Sequence, residues 1–135
     1  MKITQKNLCE IYVACGVGSL AGVAPDEIVK VMTLRKAMRS HFEAYKAFEK
    51  DVREAQPNYE RLVEIEGKAE KSEEDKQFYA ENIKAFVVDF NMAILPELNK
   101  EVELEAEELL PETIAVLASK TNVPLDVWEV IEKAK

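Results

Sequence analysis

The chain has 135 residues, 47% of them apolar and 33% charged, which suits one ordinary hydrophobic core and excludes a globally disordered polymer. Its formal net charge of -8 repels polyanions, so nucleic-acid binding would need a local basic patch strong enough to overcome the overall field. Two cysteines and one histidine are too few ligands for a structural zinc site, and no run of about 18 apolar residues offers a membrane span. Without a basic stretch and apolar leader at the N-terminus, the expected location is the cytoplasm.

Met1 to Thr4 alternates apolar and polar, predicting a short strand, and Thr4 is placed to cap a helix over Gln5 to Cys15. Cys9 and Cys15 stand six apart on that helix and point in different directions, so no mutual disulfide is expected. Gly16 to Ala24 carries three glycines and no charge, which predicts a loop pressed on the core. Gly16, Gly18 and Gly22 approach a dinucleotide fingerprint in spacing, but a helix precedes them where that fingerprint requires a strand.

Pro25, Asp26 and Glu27 form a helix start, because proline gives up a donor that has no partner there and the carboxylates oppose the positive end of the dipole. Ile28, Met32, Met38, Phe42, Tyr45, Val52, Tyr59 and Leu62 mark one face of a long helix, and Pro57 should kink or break it near Gln56. Gly67 closes the arm. Ser72 and Asp75 have the spacing of a capping box at a hairpin tip, and a second stripe from Phe78 to Leu98 predicts an antiparallel arm that Pro96 ends or bends.

From Glu101 the period changes to two, and a strand over Glu101 to Glu107 finds its only candidate partner in Met1 to Thr4. Pro111 opens another helix, and Pro124 a last one running to Lys135. The expected fold is mainly α: a single domain over 1–135, with a long antiparallel helical hairpin at about 25–100, a small two-stranded β ribbon, and a C-terminal helical segment at about 111–135.

Catalysis finds no recognisable triad, since His41 lies on an amphipathic helix, the two cysteines lie near an apolar stripe and no serine stands in a nucleophile-elbow context. No metal or cofactor is expected. Leu110, Pro111, Glu112 and Thr113 match part of a sortase signal, but Ile114 stands where glycine is required. Ile114 to Ile131 scans like a helix-turn-helix, yet its second helix would bring Asp126, Glu129 and Glu132 to DNA and offers no arginine to read guanine. Two charged sets are candidate partner contacts. Glu101, Glu103, Glu105 and Glu107 would share one strand face, and Arg35 and Arg39 lie one turn apart on the long helix.

The order of features, with the run Leu-Pro-Glu-Leu-Asn-Lys-Glu-Val-Glu-Leu over 95–104, resembles small helical-hairpin proteins encoded by tailed phages and prophages, whose role is unsettled. The resemblance implies a phage context and carries no catalytic residue across. The Gly-rich segment and the extended helical C-terminus depart from it. Val31, Leu34, Phe48, Val63, Val87 and Val88 add apolar surface beside the main stripes, more than one partner helix can cover. The expected function is therefore a non-enzymatic protein-binding or assembly role through the hairpin, by self-association or with another protein. The alternatives are a small DNA-binding regulator and a phage inhibitor that presents its acidic edge to a basic host surface.

Overall fold

The computed structural model describes residues 1–16 and 20–132. Strand β1 (Lys2–Thr4) leads directly into α1 (Gln5–Ala14), followed by α2 (Pro25–Ala55), α3 (Tyr59–Glu66), α4 (Glu73–Leu98), β2 (Glu101–Glu103), α5 (Pro111–Ala118) and α6 (Leu125–Trp128). A single 3-10 turn over Glu129–Ile131 follows α6. The chain divides into two compact units, the first made of Met1–Tyr45 with Leu98–Lys135 and the second of Lys46–Glu97.

In the first unit β1 and β2 pair antiparallel, with Lys2 opposite Glu103, Ile3 opposite Val102 and Thr4 opposite Glu101. The ribbon is as expected, but β2 stops at Glu103 rather than Glu107. The pairing is antiparallel, so β2 runs toward Met1 and past Glu103 faces only that residue; at the opposite end of the ribbon Thr4 turns the chain into α1, where its hydroxyl accepts the Asn7 N–H at 3.3 Å as the N-cap. Leu104 N–H still donates to Met1 O at 2.8 Å, and the chain beyond leaves the ladder.

Ile3, Leu8, Ile11, Tyr12 and Cys15 from the N-terminal segment meet Val31, Leu34 and Met38 of α2 in one core. Leu104, Leu109, Ile114, Leu117, Val123, Trp128 and Ile131 complete it. Each such side chain contributes about 1.5–3 kcal/mol by leaving water, so this cluster dominates the stability of the unit. Two residues of the expected apolar surplus, Val31 and Leu34, are thus fully committed here. The glycine-bearing loop behaves as a core-facing segment where it is described: Leu20 is buried and Gly22 takes a φ of +85° that a side chain would resist. Gly18 lies outside the described residues.

The C-terminal segment departs from the expected long helix. After α6 and its 3-10 turn, Glu132 is extended, and Leu109 N–H donates to Ile131 O at 2.6 Å in a parallel bridge between Leu109 and Glu132. Burial of both Trp128 and Ile131 under the core favours this tight turn over a helix that would carry the chain past it.

In the second unit, α2 ends at Ala55 and α3 begins at Tyr59, with Pro57 and a left-handed Asn58 (φ 66°) making the break. The arms run antiparallel, because contact partners climb one arm as they descend the other: Arg53 with Phe90, Tyr59 with Phe86, Asn58 with Asn82, Glu66 with Tyr79 and Lys68 with Asp75. At the tip, Asp75 N–H donates to Ser72 Oγ (3.1 Å) and Ser72 N–H donates to Asp75 Oδ2 (3.3 Å), the reciprocal capping box that the sequence spells. Lys68 donates to the same Oδ2 at 2.9 Å and holds the Asp75 carboxyl below its usual range. Pro96 sits in the last turn of α4, which ends two residues later at Leu98.

The seam of this hairpin is thinner than two greasy stripes would suggest. Leu62, Ile65 and Ile94 are buried, while Phe78, Phe86 and Phe90 are half-buried under guanidinium groups or aromatic rings. Arg61 lies 3.9 Å from the Phe78 centroid and Arg53 5.1 Å from that of Phe90, cation–π contacts of about 0.5–1 kcal/mol each at such sites.

Candidate protein-binding surfaces

Three features of the two units bear on function: an apolar outer face on α4, an acidic segment after β2, and a buried carboxylate. The α4 face that meets the hairpin carries Phe78, Ile83, Phe86, Phe90 and Ile94. On the other side Ala85, Val88, Met92 and Leu95 follow one another at three, four and three residues, the spacing of a coiled-coil seam. All four are exposed, with Met92 at 69% and Leu95 at 53%. Val87 and Val63 add further exposed apolar surface on the same unit. A surface helix usually keeps one apolar stripe, and α4 keeps two.

Glu101, Glu103, Glu105 and Glu107 are all exposed, but they do not form the single strand face expected of them. Glu101 and Glu103 project from β2, where Lys2 stands across the ladder from Glu103, and Glu105 and Glu107 follow beyond the ladder. Glu103 also lies 3.7 Å from the Met1 ammonium. The opposite charges across the ribbon relieve part of the repulsion that four aligned carboxylates would suffer.

Arg35 and Arg39 part company in the structure. Arg39 is exposed, whereas Arg35 is half-buried with its guanidinium carbon 4.2 Å from the centroid of Tyr12. Tyr12 in turn stacks on Phe42 at 4.2 Å, so the cation closes a three-layer stack between α1 and α2. Arg35 is therefore part of the packing and leaves Arg39 without a paired cation for a partner.

Glu27 is the functional-looking group that sequence reasoning passed over, taking it only for a dipole partner at the start of α2. It is 1% exposed. Its Oε1 accepts the Leu110 N–H at 2.7 Å and the Thr113 hydroxyl at 2.8 Å, and Lys30 Nζ stands 3.2 Å from Oε2. Burial pushes this carboxyl up, but the bonds from Leu110, Thr113 and Lys30 and the Lys30 charge outweigh it and hold the group below its ordinary value. Leu110 and Thr113 are the N-cap and third residue of α5, so a carboxylate from α2 caps α5 across the core. A signal was present: 27, 31, 34 and 38 share one helix stripe, which puts Glu27 in register with buried Val31, Leu34 and Met38.

Neither Cys9 nor Cys15 is in a disulfide, and burial pushes the Cys15 thiol up to about 12 despite the opposing charge of Arg35. At neutral pH it is a poor nucleophile. Among the described residues no group of three or more His, Cys, Asp and Glu side chains could hold a metal ion, and no helix is long and apolar enough to cross a membrane. The helix-turn-helix alternative has as its second element the four-residue α6 and one 3-10 turn, with Asp126 and Glu129 exposed on it. No family model, curated protein or solved structure matches the chain.

Proposed function

We propose that this is a non-enzymatic assembly protein that associates through the outer face of its helical hairpin, with a second copy of the same helix as the partner. The observation that carries the reading is the exposed seam of Ala85, Val88, Met92 and Leu95 on α4. Such a seam is self-complementary: two copies laid antiparallel about a two-fold axis interdigitate the same residues from both sides. The first unit has a core of its own that includes none of these residues. A phage or prophage context and a cytoplasmic location belong to the same reading, the first resting only on the resemblance of the 95–104 run.

Light scattering over a wide concentration range, with chemical crosslinking of the purified chain, tests it. The expected result is a concentration-dependent dimer or higher oligomer that Met92→Glu abolishes. A strict monomer at all concentrations overturns the proposal.

A further inference from the structure

Between α5 and the α6 turn lies a cleft of about 230 Å³ lined by Pro111, Ile114, Ala115, Leu125, Glu129 and Glu132. Its walls are apolar and its rim is acidic. Leu125 is 69% exposed, a large apolar side chain left in water at the edge of the cleft. Nearby along the chain, Val130 is also exposed, at 52%. Among the described residues Glu129 and Glu132 enter no ion pair.

The electrostatics select the occupant. Over 101–135 the sequence has nine carboxylates against three lysines, Lys120, Lys133 and Lys135, whereas residues 1–45 have six basic side chains and four acidic ones. A second copy of this acidic segment would meet the cleft with like charge, which costs affinity and slows encounter. A nucleic acid or anionic membrane is repelled for the same reason. A cationic chain with no apolar group would gain the charge but leave Leu125 and the cleft wet. We infer that the cleft is a docking site for a basic amphipathic protein segment, which seats one bulky apolar side chain against Ile114, Ala115 and Leu125 and sets lysines or arginines beside Glu129 and Glu132. This site is separate from the α4 seam and holds whether or not the hairpin self-associates.

The test uses the full chain and three synthetic peptides of equal length: an amphipathic helix of leucine and lysine, the same peptide with serine for leucine, and the same peptide with glutamate for lysine. Fluorescence anisotropy measures each. The leucine–lysine peptide should bind at least tenfold more tightly than either control, and its affinity should fall with added salt. Leu125→Ser combined with Glu129→Lys should weaken binding tenfold or more; both side chains are exposed, so the fold survives, as circular dichroism would verify. Val88→Ser with Met92→Ser should leave it unchanged, which separates the cleft from the α4 seam. Equal binding of the serine–lysine peptide overturns the inference, as does loss only in the α4 variant, insensitivity to the cleft variant, or a cleft-dependent dimer of the chain that excludes the peptide.

Discussion

Removing the Glu27 carboxylate perturbs the first unit at a single point where α2 holds α5. Glu27→Ala deletes two short hydrogen bonds to a charged acceptor, each worth about 1.5–3 kcal/mol, and leaves the buried Thr113 hydroxyl without its partner. Leu110 N–H and Lys30 lie nearer solvent and recover water, which offsets part of the loss. The net cost should be about 3 kcal/mol, the lower end of what breaking a buried ionic contact costs. Urea unfolding followed by the fluorescence of Trp128 reads this unit specifically, because Trp128 is the only tryptophan and is fully buried in its core. The pH dependence follows from the direction of the Glu27 shift. Its folded pKa lies below the ordinary 4.5, so its stabilisation is complete above that value and is lost as pH falls through the folded pKa. Glu27→Gln keeps the shape and one acceptor oxygen, so it should cost less than alanine at pH 7 and should lack this acid-linked share of the loss. A cycle combining Glu27→Ala with Thr113→Val should show coupling of about 1–2 kcal/mol. A shift below about 1 kcal/mol for the alanine variant, or acid sensitivity unchanged in the glutamine variant, would refute the account of this carboxylate as a cap held across the core.

Ser72→Ala opens the hairpin tip by removing the acceptor for Asp75 N–H, and should cost about 1 kcal/mol in thermal or urea unfolding of the second unit while leaving Trp128 fluorescence at its native value. Arg35→Leu keeps apolar bulk but loses the cation over Tyr12, and should destabilise the first unit by about 1 kcal/mol in the same urea assay. The Cys15 thiol, with its pKa raised to about 12, should resist alkylation at pH 8 until the chain is unfolded, whereas half-buried Cys9 reacts first; mass spectrometry of the modified peptides distinguishes them.

The features legible in the sequence are those fixed by near neighbours. Thr4 as a cap, Pro25 as a helix start, Pro57 as a break and the Ser72–Asp75 box each depend on residues within one turn, and each stands where the spacing puts it. The pairing of β1 with β2 was also legible, because only two segments had period two. What sequence reasoning missed depends on distant partners. Glu27 reads as an ordinary first-turn acid until α5 arrives from more than eighty residues away. Arg35 and Arg39 look equivalent until Tyr12 of α1 takes one of them. The apolar stripe assigned to α2 is displaced at its start and divided along its length: Met32 is exposed, Val31 and Leu34 from beside the stripe join Met38 in the first core, and Val52 belongs to the hairpin unit. The last helix was overextended because periodicity cannot register that Ile131 must return to Leu109.

Sedimentation equilibrium of a Val88→Ser/Met92→Ser/Leu95→Ser variant beside the natural chain tests the central claim most directly, since these exposed side chains contribute little to the folded monomer but would form the contact between copies. The account predicts that the natural chain associates reversibly and that the triple variant sediments as a folded monomer at every concentration. Identical association by both chains would contradict it.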